Sequence, residues 1–425
     1  MAFAALWRKG IADRAGRVLD ASHAVWIAVG FGIGLRLLLV FCFPHLDDGS
    51  ILDSGRYVKT AHYILAGRGF TEYGNRPSAY VPPLYPYFLA GVFKLAGFHG
   101  WVVKVIQCVL GGFLAWIVCA MGKRLFHPRA GVLAAFFTAV FPDFVALPSF
   151  LYAETVYIFI NTLAFHFLIK GYAEPRRRSP WLVSGIFLGL GILTRHVLLL
   201  FPAFVCAVSL LVRSQRKYLK PLLVWTAICI LTLVPWTIRN YMCFQRIVPV
   251  ASGFGGSFWV GSDPGQKGQF QYFQSEKKIQ EESGGEMDAT RRENLLVRHG
   301  LRNILSRPGE YFGLVSRKMF RYFFQVYGNV PDGTPRRARW VIAAGLGAAY
   351  YPILALFVTG IWVFRKSWSR LFILYGVVVY SALAYSMLLV VPRYRMPLIP
   401  FFILLASATL SAWLWNRDPT TGSGR

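Results

Sequence analysis

Long apolar runs, most of them bounded by arginine and lysine clusters, punctuate the chain from residue 24 to residue 415. A helix that crosses a bilayer needs about 20 mainly apolar residues. That length predicts spans near 24–44, 101–121, 130–150, 154–170, 219–236, 340–363, 370–391 and 396–415. The run 181–212 is too long for one helix and reads as two short ones turning at Thr194-Arg195-His196. The total is about ten crossings, with both termini on one side. The segment 82–97, opened by Pro82 and Pro83, reads as a juxtamembrane or partly inserted helix. Counted as a full span, it would put Arg176, Arg177 and Arg178 on the wrong side.

The loop charges support this count. Arg8, Lys9, Arg14 and Arg17, then Lys123, Arg124 and Arg129, the triplet Arg176, Arg177 and Arg178, then Arg213, Arg216, Lys217 and Lys220, and finally Arg365, Lys366 and Arg370 all fall in the tails and short loops expected inside. The first run follows a basic stretch and continues to Phe43, as a retained signal anchor does. The expected organisation is a cytoplasmic N-terminus at 1–23 and a membrane core at 24–236 that includes a first outer loop at 45–100. A large extracytoplasmic loop at 237–339, C-terminal membrane helices at 340–415 and a cytoplasmic tail at 416–425 follow. The large loop carries Glu276, Glu281, Glu282, Glu286, Asp288 and Glu293, and an amphipathic stretch at 311–327. No matching halves of the kind seen in inverted-repeat transporters are evident.

Composition narrows the class further. Of 425 residues, 55% are hydrophobic and 15% charged, far below the charge of an ordinary soluble enzyme, yet the net charge is +27. A nucleic-acid binder shares the charge but not the apolar runs, so nucleic acid is not an expected partner; the bilayer is. Cys42, Cys108, Cys119, Cys206, Cys229 and Cys243 lie in or beside apolar segments without a CxxC pair, and read as small hydrophobes.

Ionisable groups within apolar spans cost about 2.5–3.5 kcal/mol each on insertion scales, so those at span ends without a topological purpose are informative. Asp53 follows the first span, Glu154 opens the fourth, and Arg195 tops the short hairpin. Arg239 follows the seventh, and Arg393 and Arg395 lie between the last two. All six fall on the outer face. Five of them have a structural reading: Asp53 as a helix cap, Glu154 as a carboxylate favoured by a helix N-terminus, Arg195 as a snorkelling cation, Arg393 and Arg395 as interfacial anchors. Arg36, inside the first span, reads as snorkelling or as a pair with a neighbouring helix. Between Phe144 and Ser262 the only acids are Glu154 and Glu174, and a lone carboxylate in LYAETVYIFI needs a cation, a metal or a proton. A surface carboxylate can act as general base and arginines beside it can hold a leaving phosphate. The sum points to group transfer from a lipid phosphate at the outer face.

The motifs DSGRY with GRGF, PPLYPYFLAG, LYAETVY, LTRHVLLLFP, VPWTIRNY with VPVASGFGGSFWVGSDP, and RYRMPLIPFFILLAS occur in that order between about Leu35 and Ala406. As a set they resemble the GT-C glycosyltransferases, most closely the branch of protein O-mannosyltransferases and aminoarabinose transferases (glycosyltransferase family 39-like). The resemblance implies an all-α polytopic membrane protein, a GT-C-type bundle of about ten helices with two large extracytoplasmic segments. It further implies Asp53, four residues before Tyr57, as catalytic base, and Glu154 as its electrostatic or metal-binding partner. Many relatives have a second acid beside the first, where this chain has Ser54, and the aminoarabinose branch has an acid where Tyr80 and Val81 stand. Arg195, Arg239, Arg393 and Arg395 are candidates for the donor phosphate. Arg56, Tyr57, Tyr85, His196 and Trp259 are candidates for substrate contact, with Phe258 and Tyr272 also available to stack on a sugar or to pack the loop on the bilayer. Asp47 and Asp48 compete with Asp53.

The expected activity is transfer of a hexosyl or pentosyl group from a polyprenyl-phosphate sugar to a glycan, lipid or protein acceptor, by inverting single displacement. It is expected at the periplasmic face of a bacterial inner membrane, with a divalent metal ion at Asp53 and Glu154 as an option. A transporter or flippase of lipid-linked sugars is the alternative.

Overall fold

The computed structural model describes residues 23–47, 52–72, 74, 76–263, 281, 289–326 and 336–415. Residues 1–22 of the cytoplasmic N-terminus expected at 1–23, the tail expected at 416–425, Asp48, Tyr272 and much of the acidic part of the large loop lie outside these residues. All regular elements among the described residues are helical. They are α1 (Ala24–Cys42), α2 (Leu52–Leu65), α3 (Leu84–Ala96), α4 (Gly100–Leu125), α5 (Pro128–Val140), α6 (Pro142–Ala146), α7 (Glu154–Ala173) and α8 (Arg178–Thr194). There follow α9 (Phe201–Leu211), α10 (Leu219–Phe244), α11 (Phe254–Ser262), α12 (Ala289–Ser306), α13 (Pro308–Phe324), α14 (Arg336–Val363), α15 (Phe372–Met387) and α16 (Ile399–Trp415), with short 3-10 turns between several of them.

Six segments, built on α1, α4, α7, α10, α14 and α16, are long and apolar enough to cross a membrane, and α5 with the following helix and turn forms a further pair bent by 55°. The shorter apolar helices α8, α9 and α15 occupy the other expected positions. The stretch 181–212 divides as expected: α8 ends at Thr194, and α9 begins at Phe201. The segment after Pro83 is a 13-residue helix, about 20 Å at 1.5 Å per residue, whose Tyr85, Leu89 and Phe93 pack in a cluster with Ala61 of α2 and Val103 of α4.

Two features show how an apolar sequence acquires specific helix contacts. At the crossing of α4 and α5, a Cβ on Gly122 would lie 2.7 Å from the Gly131 Cα, and one on Gly131 would lie 2.6 Å from the Cys119 carbonyl oxygen. In lipid, where apolar contact alone drives no association, such close backbone approach supplies dispersion contacts. The bend after α5 follows from Pro142, which offers no N–H to the Thr138 carbonyl. Arg36 meets that deficit: fully buried, it donates to the carbonyls of Thr138 (3.3 Å), Ala139 (2.9 Å) and Gly32 (2.7 Å). Of its two readings, snorkelling is therefore replaced by an interhelical tie, which costs less than exposing a cation and two carbonyls to hydrocarbon.

Candidate active site

Four charged side chains from four distant parts of the chain meet at one end of the bundle. Asp53 lies in the first turn of α2, where the helix dipole favours a carboxylate. Glu154 is the first residue of α7, set there by the 3-10 turn at Leu147–Ser149, and is 3% exposed. Arg195 is the residue at which α8 stops. Arg393 lies in the proline-bounded turn Pro392–Leu398. An Arg195 terminal nitrogen donates to Glu154 Oε1 at 2.8 Å, Arg393 Nε lies 3.7 Å from the same oxygen, and an Arg393 terminal nitrogen donates to Asp53 Oδ2. The order is Asp53, Arg393, Glu154, Arg195, with alternating sign and no net charge. Such an arrangement lets charges persist in a poorly solvated place, because each offsets its neighbour's desolvation.

Aromatic rings complete the walls. Arg195 lies over the Tyr394 ring at 5.1 Å, and Arg393 lies between the rings of Tyr152 (5.6 Å) and Tyr394 (5.8 Å). Tyr394 stacks on Tyr385 at 4.9 Å. Burial works against ionisation of Asp53, but Arg393, with Arg195 and Arg56 behind it, outweighs burial and holds its carboxyl below the usual range. Among the described residues, the buried Nε of Arg393, 3.7 Å from Glu154 Oε1, and the buried Nδ1 of His196 have no hydrogen-bond partner. Tyr152 and Tyr385 were not singled out from sequence; Tyr152 stands two residues before Glu154, the only signal that could have drawn notice.

The other candidates are distributed differently. Arg239 is directed to the first outer loop, donating to the carbonyls of Ser78 (2.8 Å) and Phe70 (2.9 Å) and stacking on Trp236 at 4.7 Å. Arg395 donates to the carbonyls of Tyr322 (2.7 Å) and Phe323 (3.0 Å) and lies 3.9 Å from the Tyr350 ring centroid. Both spend terminal nitrogens on backbone carbonyls, Arg239 through both of its own and Arg395 through one, rather than on the carboxylates of the cluster. Tyr85 is fully buried and donates to Gln107 Oε1 at 2.9 Å, while Gln107 donates to the Pro148 and Phe150 carbonyls. This chain of bonds ties Tyr85 to the turn before Glu154. Trp259 is buried in a cluster with Val260, Leu296 and Leu389. Tyr57 is edge-on to Tyr85 at 5.1 Å, and Arg56 stacks on Tyr80 at 4.6 Å, one turn beyond Asp53.

Asp47 is likewise accounted for. Its Oδ1 accepts from Ser54 at 2.9 Å and its Oδ2 from the Leu151 backbone at 2.8 Å, tying the start of α2 to the turn before Glu154. Ser54, which occupies the place of a second acid, thus serves as an anchor. The site does not fit a divalent ion in this arrangement. Both carboxylates face guanidinium groups, and among the described residues no three His, Cys, Asp or Glu side chains converge.

Comparisons with known proteins bear on the fold. Residues 80–238 match the family described as dolichyl-phosphate-mannose-protein mannosyltransferase. The fold is similar to that of the Archaeoglobus fulgidus oligosaccharyltransferase. One such structure, tethered with an acceptor peptide, has a TM-score of 0.54 and 15% identity, over 92% of this chain and 49% of that one. Another, of AglB with an inhibitory peptide and a dolichol-phosphate, has a TM-score of 0.53 and 16% identity, over 95% and 52%. The chain thus spans about half the length of these archaeal enzymes. ArnT from Cupriavidus metallidurans bound to undecaprenyl phosphate matches with a TM-score of 0.46 and 13% identity, over 92% and 78%. No curated protein sequence matches the chain. The chain is a polytopic membrane protein with the GT-C glycosyltransferase fold. Within that class, its residues 80–238 carry the sequence pattern of the mannosyltransferase family. The matches give no support to the transporter alternative.

Proposed function

We propose that the protein transfers a sugar from a polyprenyl-phosphate donor to a hydroxyl of an envelope acceptor, at the extracytoplasmic face of a bacterial inner membrane. The observation that carries this reading is the shared contact of Arg393 with Asp53 and Glu154 beside Arg195: a base and a phosphate-binding pair within one cluster. The family match over 80–238 supports a polyprenyl-phosphate donor, and the dolichol-phosphate of the archaeal enzyme is chemically in keeping with it. Sidedness is supported by α7, which separates Glu154 from Glu174 by 20 residues, about 30 Å. Glu174 pairs with Arg124 and Arg177 at the basic end, where positive charge marks the cytoplasm. In this reading 24–236 is the catalytic core, 237–339 roofs it, and 340–415 closes it with the Arg393 turn.

In the donor-free arrangement Asp53 is held by Arg393 and is a poor base. A donor phosphate between Arg195 and Arg393 competes for the Arg393 guanidinium and releases Asp53. Asp53 then takes the acceptor hydroxyl proton, and that oxygen attacks the anomeric carbon from the face opposite the phosphate. The bond from that carbon to the phosphate oxygen breaks, its electron pair stays on polyprenyl phosphate, and the arginines meet the added charge. One displacement inverts the configuration. Asp53→Asn in membranes supplied with undecaprenyl phosphate carrying a labelled hexose or pentose tests the scheme. Loss of transfer by at least about 100-fold at normal protein levels is expected; retained transfer refutes the base.

A further inference from the structure

Arg393 can serve both carboxylates only if the strand of chain that carries it is held in register, and the clamp that holds it comes from the outer helix α13. Helix α15 ends at Met387, leaving its last carbonyls without intrahelical partners. Two side chains of α13 take them: Tyr311 Oη donates to the Met387 carbonyl at 3.1 Å, and Lys318 Nζ to the Leu388 carbonyl at 2.8 Å. Lys318 Nζ also donates to the Gly261 carbonyl at the end of α11, at 2.8 Å, and Lys318 is fully buried. A Cβ on Gly261 would lie 1.8 Å from the Leu388 oxygen, so two backbones are in contact and the ammonium bridges their carbonyls. Seven residues further on, Arg395 returns the favour by capping the Tyr322 and Phe323 carbonyls at the end of α13. The stretch between Leu388 and Arg395 is therefore pinned to one helix at both ends, with Arg393 projecting from it to Asp53 and Glu154.

We infer that Lys318 is a positioning residue for the donor phosphate: by joining α11, α13 and the end of α15, it sets the place from which Arg393 binds that group. The inference rests on the phosphate role of Arg393 proposed above. Burial pushes the Lys318 amine down to about 7, and a lysine buried against two carbonyls is expensive to keep, which makes a purely space-filling role a poor use of it.

The test is binding of undecaprenyl phosphate to the full chain in lipid nanodiscs, for wild type, Arg393→Gln, Lys318→Met and the double variant, with Tyr311→Phe alongside. Lys318→Met is expected to weaken binding by about tenfold, on the order of the loss of one charge-assisted contact. Tyr311→Phe is expected to weaken it two- to threefold. Because Lys318 acts through Arg393, the double variant binds no more weakly than Arg393→Gln, a non-additivity that a merely structural lysine does not produce. Wild-type affinity in Lys318→Met, or fully additive losses in the double variant, would overturn the inference while leaving the function intact. Unchanged affinity in Arg393→Gln would overturn both the phosphate role and this inference. If Lys318→Met is not recovered folded, Tyr311→Phe with and without Arg393→Gln decides by the same two criteria.

Discussion

Replacing Glu154 by Gln keeps the shape of the side chain and removes the charge that two arginines share. At an effective dielectric of about 20, charges 2.8 Å apart attract by roughly 6 kcal/mol and charges 3.7 Å apart by roughly 4.5 kcal/mol. Part of this is offset by desolvation, since Glu154 is 3% exposed and the side chains of Arg195 and Arg393 17% and 22%. The net cost of breaking one partner of a buried pair is about 3–5 kcal/mol. The amide can still accept from Arg195, so the lower end, about 3 kcal/mol, is expected. Removing both partners in Glu154→Gln/Arg195→Met leaves less uncompensated charge, so the double variant should lose less than the sum by at least about 1.5 kcal/mol. Thermal unfolding of the detergent-solubilised protein, followed by tryptophan fluorescence in a full double-mutant cycle, measures the coupling. Losses that add to within about 0.5 kcal/mol would refute the claim that these charges form one unit.

Because Asp53 is held below the usual carboxylate range, its contribution to stability is complete above the ordinary unfolded value of about 3.9. It is lost as pH falls through the lower folded value; acid unfolding of Arg393→Gln should begin at higher pH than wild type. Arg239→Gln removes two charge-assisted bonds to the first outer loop, at about 1.5–3 kcal/mol each. Faster proteolysis within 66–80 is expected, with undecaprenyl phosphate affinity unchanged, and a tenfold weaker affinity would return Arg239 to the phosphate site. Arg36→Leu leaves the Thr138 and Ala139 carbonyls unpaired in hydrocarbon and should cost about 2–4 kcal/mol of thermal stability, with wild-type melting refuting the tie. Leu305→Cys, at an exposed position of α12, should react with an impermeant maleimide from outside intact cells in a background lacking Cys42 and Cys243; labelling only after lysis would invert the topology.

Periodicity and charge were enough to read the class of this molecule, because a bilayer imposes its constraints residue by residue. An apolar run of fixed length must cross or be buried, its backbone must close its own hydrogen bonds, and arginines must gather at one end. The same logic made Glu154 and Asp53 visible, since an acid in an acid-poor, apolar setting has few tolerable roles. What could not be read was how arginines are distributed among partners. Arg195, Arg239, Arg393 and Arg395 look alike along the chain, each beside an apolar run in an aromatic setting. A guanidinium has five donors, and a carbonyl freed by a helix end satisfies them as readily as a carboxylate. Arg239 and Arg395 met carbonyls from residues 161–169 and 72–73 positions away, whereas Arg393 met a carboxylate 340 positions away. Lys318, Tyr85 and Trp259 follow the same rule, since their burial is set by partners distant in sequence. Sequence by itself determined that charges stand at the ends of apolar runs; only tertiary structure decided which of them face one another, because pairing depends on parts of the chain brought together through space.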